Sequence, residues 1–304
     1  MMSDTQETKA LLQKISAENN LEIHELYPGI QVSFFTLRGE EPLSFGHAPI
    51  GHVLEINYCI AGRIGWSMNH GNQIYLGPGD FSLHAMDLCS RSRAVLPNGF
   101  YEGLLISIDL KQLAETPPAA LEGTGVTGEF LYEKFCRDKT ATALMGNEAV
   151  RQIFAAFYQT PEPLRSAYQK IKVLELLLVL SQLDVRKEKH ITEYRSEQAE
   201  LIRQIHDQLT RDVSRRYSIE SLAKQYLINT TTLKTMFKAV YGTSIAAHIR
   251  EHRMETAARL LLSSDLSIAE IAARVGYGSQ SRFSAAFQSH FHMLPSEYRR
   301  QTVS

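Results

Sequence analysis

The chain has few cysteines, no long apolar run and almost no net charge, and each shortage removes a class of protein. Its three cysteines, Cys59, Cys89 and Cys136, are widely spaced and form no C-x-x-C pair. Neither a disulfide framework nor a zinc site is expected from that spacing, and all three read as small buried thiols. The most apolar stretch, Val173 to Leu183, is interrupted by Glu175, Ser181 and Gln182 and is far too short to cross a bilayer. No membrane partner is expected. The opening residues, MMSDTQETKALLQKISAENN, show no basic segment followed by an apolar core, so they do not read as a secretion signal and a cytoplasmic location is the expectation.

The net charge of −1 conceals an asymmetry. From Gln198 onward there are 14 Lys+Arg and 9 Asp+Glu, a net of +5, which leaves −6 for the first 197 residues. A basic half of this kind favours association with a polyanion through phosphate neutralisation. What is present is ordinary for a globular protein: 304 residues, 44% hydrophobic and 21% charged, enough for two separate cores.

The basic half also contains a repeat. Ser218-Ile219-Glu220-Ser221-Leu222-Ala223 is echoed by Ser267-Ile268-Ala269-Glu270-Ile271-Ala272 at an offset of 49. After one extra residue in the second copy, Leu233, Phe237 and Tyr241 correspond to Phe283, Phe287 and Phe291 at an offset of 50. Two helix-turn-helix units, about 218–242 and 267–292, are read from this pattern. Ser218 is a plausible N-cap of the first unit, and Asn229 or Thr230 caps its second helix. In that helix Leu233, Met236, Phe237 and Val240 share the buried face, which leaves Thr231, Lys234, Thr235 and Lys238 outward. In the second unit Ser279 caps, Phe283, Ala286, Phe287 and His290 face inward, and Gln280, Ser281, Arg282, Ser284, Ala285 and Gln288 face outward. Gln can contact adenine, Arg can contact guanine, and hydroxyls can reach base edges or phosphates. Between the units, Ser244 to Leu262 reads as one long helix with Ile245, Ile249, Met254, Ala257, Ala258, Leu261 and Leu262 inward and Arg250, Arg253 and Arg259 outward. At 1.5 Å per residue it is roughly 28 Å long, close to one duplex turn of ~34 Å.

The first half reads differently. Between Leu21 and Leu110 short strands alternate, as where Leu54, Ile56 and Tyr58 oppose Val53, Glu55, Asn57 and Cys59. Arg63 to Met68 begins another strand, Asn69 to Asn72 is a turn, and Gly77-Pro78-Gly79-Asp80 is a tight turn between strands. This spacing fits a small antiparallel barrel or sandwich. Two helices follow, Glu148 to Tyr158 and Leu164 to Leu183. The segment Val173 to Leu180 is apolar nearly all round, so it needs cover on two sides. Packing on its own barrel covers only one side; a homodimer is the simplest source of cover for the other, the alternative being that the preceding helix, Glu148 to Tyr158, covers it within the chain. Asp184 to Gln198 is charged and reads as a linker.

The stretch RMETAARLLLSSDLSIAEIAARVGYGSQSRFSAAFQSHFHMLPSEYRR closely resembles the signature of the AraC/XylS family of bacterial transcription regulators. The resemblance covers about residues 200–302. LEINYCIAGRIGWSM and YLGPGDFSLH in the first half resemble, less specifically, the cupin-type sensor and dimerisation domain common in that family. The implied fold is α+β: an N-terminal cupin-like antiparallel β-barrel with a helical dimerisation segment, and an all-α domain of two helix-turn-helix units joined by a long helix. The implied division is an extension over 1–20, a sensor domain over 21–183, a linker over 184–198 and a DNA-binding domain over 199–304.

The family places its two recognition helices in adjacent major-groove segments. Carried over by position, Thr231, Lys234 and Thr235 read one half of the site, and Gln280, Ser281 and Ala285 read the other. Two departures are evident: His292 stands where the family usually has Gly after the closing aromatic residue, and Ala285 stands where Arg is frequent. Unequal reading of the two halves is therefore expected. The implied partners are double-stranded DNA, a second copy of the chain, RNA polymerase and a small-molecule effector, with effector-responsive activation as the implied mode. Tyr58, Trp66, Phe81 and Tyr101 are candidates to line an effector pocket, or are simply core. His47, His52, Glu55 and His84 lack the compact His-x-His-then-Glu spacing of metal cupins, so neither a metal nor a cofactor is expected. Three other functions stay open. One is a ligand-independent DNA binder, another a repressor. The third is a DNA-repair methyl acceptor, which would need an activated cysteine that the spacing does not supply.

Overall fold

A computed structural model describes residues 21–67 and 72–300. The expected extension over 1–20, Met68 and most of the turn before Asn72 lie outside the described residues. The chain divides into two compact units, Met1–Ser196 and Glu197–Ser304.

The first unit contains β1 (Leu21–Tyr27), β2 (Ile30–Arg38), β3 (Leu43–Gly46), β4 (Val53–Gly62), β5 (Ile64–Ser67), β6 (Asn72–Leu76), β7 (Asp80–Ala85), β8 (Arg91–Val95), β9 (Phe100–Asp109), β10 (Thr142–Met145) and β11 (Tyr194–Arg195). All pair antiparallel, in two sheets. One runs β1-β2-β9-β4-β7-β10 and the other β11-β6-β5-β8-β3. The expected closed barrel is not formed, because among the described residues neither sheet closes on itself and the two sheets stay separate.

Two cores share the larger sheet, one on each face, because successive side chains of a strand point to opposite sides. Leu54, Ile56 and Tyr58 of β4 join Phe81, Leu83, Leu104 and Ile106 in a core completed by helices. Those helices are α1 (Leu110–Glu115), α2 (Gly128–Phe135), α3 (Glu148–Gln159) and α4 (Glu162–Gln182). On the other face, Cys59 joins Phe35, Leu37, Tyr101 and Leu105 against Ile64, Ile74, Leu76 and Ala94 of the smaller sheet. The unit is thus three layers: helices, a six-stranded sheet and a five-stranded sheet.

The helix ends follow ordinary capping chemistry. Asp109, Thr127 and Asn147 each accept backbone N–H bonds at the starts of α1, α2 and α3. The apolar segment of α4 is largely covered within its own chain: Val173, Leu176, Leu177 and Leu180 are buried in the core that Phe154 and Phe157 of α3 complete. Its uncovered stripe lies elsewhere, at Leu164, Tyr168, Ile171 and Leu178. Of residues 184–198, read as a linker, 190–195 are bonded into this unit, while 196–198 open the first helix of the second unit. Ile191 donates to the Ala143 carbonyl, His190 bridges to Leu144, and β11 pairs with β6.

The second unit is helical: α5 (Ser196–Arg211), α6 (Ile219–Gln225), α7 (Thr230–Tyr241), α8 (Ile245–Ser263), α9 (Ile268–Arg274), α10 (Gln280–Phe291) and α11 (Pro295–Arg300). Its helices α6 and α7 form one helix-turn-helix, and α9 and α10 form the other. The long helix α8 belongs to both. Its first half buries Ile245 and His248, and its second half places Met254, Ala257, Ala258 and Leu261 in the core with Phe283 and Phe287.

Candidate nucleic-acid interface

Each helix-turn-helix is set by the same backbone device. The first helix ends with Tyr226 or Val275, and the next residue, Leu227 or Gly276, takes a left-handed conformation at φ +54° or +81°. The residue after that donates back around the helix end, Ile228 to the Ala223 carbonyl at 3.0 Å and Tyr277 to the Ala272 carbonyl at 2.8 Å. These are Schellman-type closures, and they aim the following helix. Asn229 then caps α7 by accepting from the Thr232 N–H, and Ser279 caps α10 by accepting from the Arg282 N–H. Asn229, rather than Thr230, is therefore the cap. Ser267 and Glu270 add a reciprocal capping box at α9.

Burial sorts the two second helices as their periodicity requires. In α7, Leu233, Met236, Phe237 and Val240 are buried, while Thr231, Lys234, Thr235 and Lys238 are exposed. In α10, Phe283 and Phe287 are buried, Ala286 is half-buried, and Gln280, Ser281, Arg282, Ala285 and Gln288 are exposed, with Ser284 half-buried. His290 departs from the expected inner face and is exposed, because the aromatic group of Phe287, Phe291 and Tyr298 already fills the end of that core. Leu262, expected inward on α8, is also exposed. His292 adopts φ +58° and donates to the Gln288 carbonyl, so α10 ends in the same turn as Gly242 makes for α7.

Two features of the helical unit were not read from the sequence. Arg253, expected outward, donates from Nε to the Val213 carbonyl at 2.7 Å and from a terminal nitrogen to the Arg215 carbonyl at 3.3 Å. It ties α8 to the loop between α5 and α6. Gly276 comes down on the same loop: a Cβ there would lie 2.7 Å from the Ser214 carbonyl oxygen. The two helix-turn-helix units are therefore locked to each other by Arg253 and by the missing side chain of Gly276. The second feature is a stack of rings. His206 of α5 lies 4.4 Å from and nearly parallel to Tyr241 at the end of α7, and His248 of α8 packs against both. Burial, then the neighbouring His252 and His206, push the His248 pKa down to about 3, so the ring is neutral at physiological pH.

The four aromatic candidates in the first unit do not share a pocket. Tyr58 and Phe81 face the helical layer, where the Tyr58 ring stacks on Phe154 at 4.1 Å. Trp66 and Tyr101 face the other way, between the sheets, where the Tyr101 hydroxyl donates to Asn57 Oδ1 at 2.9 Å. The alternation of a strand separates them, so a single barrel interior lined by all four is not formed. Of the four polar candidates, His47, Glu55 and His84 come together, while His52 turns toward Asp109. Folding adds a fourth group that sequence spacing could not reveal, Cys89, whose thiol lies 3.2 Å from Glu55 Oε2. Burial works to raise the Glu55 pKa, but His84, Cys89 and His47 outweigh it and hold the carboxyl below its usual range. Burial and the adjacent Glu55 push the Cys89 thiol well up.

The helical unit is where the likeness to known proteins lies. A helix-turn-helix domain family matches residues 222–301. The HTH-type transcriptional regulator AlkR of Acinetobacter baylyi is 36% identical over 86 residues, 28% of this chain and 28% of its own length. ExsA of Pseudomonas aeruginosa, also an HTH-type transcriptional regulator, is 37% identical over 84 residues, 28% of this chain and 30% of its own. Among solved structures, the C-terminal domain of AraT, a response regulator from Geobacillus stearothermophilus, is 36% identical. It aligns over 33% of this chain and 84% of that one with a TM-score of 0.32. The matched region thus spans under a third of the length of the two curated regulators. The helical unit, with residues 222–301 matched, is thus a double helix-turn-helix DNA-binding domain similar to those of AraC-type transcription regulators.

Proposed function

We propose that the protein is a sequence-specific DNA-binding transcription regulator that lays α7 and α10 in adjacent major-groove segments. The observation that carries this reading is the pair of exposed polar faces, Thr231, Lys234, Thr235 and Lys238 on one helix and Gln280, Ser281, Arg282, Ala285 and Gln288 on the other. They are held on opposite halves of a 19-residue helix. Thr231, Lys234, Thr235, Gln280 and Ser281 contact base edges, and Lys238, Arg282 and Gln288 serve phosphates. Ala285 offers only a methyl group, so the second unit reads fewer base pairs than the first.

Activation in response to an effector, with RNA polymerase as partner, is the mode we propose, and a cytoplasmic location follows from a DNA target. The first unit, two open sheets backed by helices, serves as a cupin-like sensor and dimerisation domain. The surface that pairs two copies is the α4 stripe Leu164, Tyr168, Ile171 and Leu178, whose steps of 4, 3 and 7 residues keep it on one side of the helix. Among the described residues no helix is long and apolar enough to cross a membrane.

The test is selection of bound fragments from random duplex DNA by the full chain. A defined motif is expected. Lys234→Ala and Gln280→Ala relax the preference at particular base pairs, each by about 1–3 kcal/mol, whereas Arg282→Ala weakens binding across all sequences. Equal losses on selected and scrambled DNA for the first two substitutions would contradict base readout.

A further inference from the structure

The geometry points to a binding site for a divalent transition-metal ion of zinc type inside the first unit, held by Glu55, His84 and Cys89 with His47 as the fourth ligand. The site stands independently of the regulatory reading. Glu55 and His84 sit directly opposite each other on β4 and β7, both aimed between the sheets. Cys89 closes the 3-10 turn Met86–Cys89 that follows β7. One donor atom from each of these three residues falls within 4.8 Å of the others. The His84 Nε2 to Glu55 Oε2 separation is 3.2 Å, Cys89 Sγ to Glu55 Oε2 is 3.2 Å, and Cys89 Sγ to His47 Nε2 is 3.5 Å. A tetrahedral ion with nitrogen or oxygen ligands near 2.0–2.1 Å and sulfur near 2.3 Å spaces its donors by about 3.3–3.6 Å.

The hydrogen bonding has the same sense. His84 is fully buried, yet neither ring nitrogen makes a hydrogen bond, although Nε2 lies close to a carboxylate. Its donor nitrogen therefore lies in reach of one point together with Glu55 and Cys89. His47 has its Nδ1 2.7 Å from the Ala48 carbonyl oxygen, so Nδ1 carries the proton and the bare Nε2 faces Cys89. That is the outer hydrogen bond which fixes the tautomer of a metal-ligating histidine. His47 is only half-buried, which gives an ion a way in. A carboxylate and a thiolate together cancel the charge of a divalent ion, as burial between two sheets requires. On binding, the ion takes the place of the thiol proton, which leaves to solvent, and no electron is transferred. The donor set of two imidazoles, one carboxylate and one thiolate selects zinc-like ions over magnesium or calcium. The other gathering of donors, His206, His248 and His252, is satisfied internally, His248 and His252 by a hydrogen bond at 3.1 Å and His206 by stacking on Tyr241.

The experiment is a titration of the chelator-stripped full chain with Co2+, followed by displacement with Zn2+. One Co2+ per chain, with a thiolate-to-cobalt charge-transfer band that Zn2+ abolishes, is the expected result. Cys89→Ser removes the band; Cys59→Ser, Cys136→Ser and His252→Ala keep it. His47→Ala, at the half-buried rim, weakens binding by about tenfold or more. A wild-type protein without the band, or a band that survives Cys89→Ser, overturns the site. If Cys89→Ser does not fold by circular dichroism, His47→Ala decides, and unchanged affinity there overturns it equally.

Discussion

Leu227 stands in the left-handed conformation that its counterpart Gly276 adopts without penalty, and its side chain is 94% exposed. A left-handed Leu costs roughly 1–2 kcal/mol, partly offset because Gly loses more chain freedom on folding. With no packing to lose, Leu227→Gly is expected to raise stability by up to about 1 kcal/mol, read as a higher denaturant midpoint at an unchanged slope. A lower midpoint would mean that the Leu227 side chain holds the turn through contacts the fold does not reveal. The position was legible in principle, since Leu227 and Gly276 are 49 apart, the offset of the repeat. His292 was legible in fact, because its partner Gly242 marks the same turn. Cys89 was not. Its approach to Glu55 joins residues 34 apart through a β-strand pairing and a 3-10 turn, and no spacing rule in the chain encodes that meeting.

At the scale of elements, the repeat conveyed the helices and their inner faces but not what joins them. Arg253 reads as an outward charge alongside Arg250 and Arg259, and only the bend of the 213–215 loop brings carbonyls to it. Arg253→Ala leaves two carbonyls without that donor, a loss of about 1–3 kcal/mol by chemical denaturation. It should also weaken binding to a full site more than to a half site, since the two recognition helices lose their fixed relation. Equal weakening on both would assign Arg253 to phosphate contact instead.

The ring stack at the junction of α5, α7 and α8 makes a pH prediction. His248 faces His206 from α5, Tyr241 from α7 and His252 on its own helix, with Asp207 beside His206 and Glu255 beside His252. Its pKa is about 3 when folded against 6.5 for the free side chain. The unfolded chain therefore takes up the proton first. No stability is lost above pH 6.5, and it is lost progressively as pH falls from there toward 3. At pH 5 the loss from this one group is about 2 kcal/mol. His248→Phe removes it, so the stability difference between variant and wild type should shift in favour of the variant by about that amount between pH 7.5 and 5. A difference that does not change with pH would show that His248 takes up its proton in the folded protein as readily as in the unfolded chain.

For the whole molecule, sequence and structure divide the work unevenly. The strand alternation and the double helix-turn-helix were visible as patterns of apolar residues. The barrel was not realised, because alternation tells which side chains share a face but not whether the last strand returns to the first. Nor did it show that Tyr58 and Trp66 face opposite layers, since that depends on which strand joins which sheet. The apolar segment of α4 needs cover, and α3 supplies much of it within the chain. What remains is the stripe around Ile171. Ile171→Glu is expected to convert a dimer to a monomer in sedimentation while leaving the melting of the helical unit unchanged. A wild-type chain that sediments as a monomer would remove α4 as a pairing surface.

In the proposed reading, two helices of one chain enter two successive turns of the double helix. Hydroxyl-radical footprinting on the selected site tests it most directly, with the wild type compared against Lys234→Ala/Thr235→Ala and Gln280→Ala/Ser281→Ala double variants. The predicted result is two protected segments per chain about 10 base pairs apart, one lost with each double variant while the other persists, and the segment read by α10 the weaker of the two. A single protected segment, or both segments fading together in either variant, would contradict it.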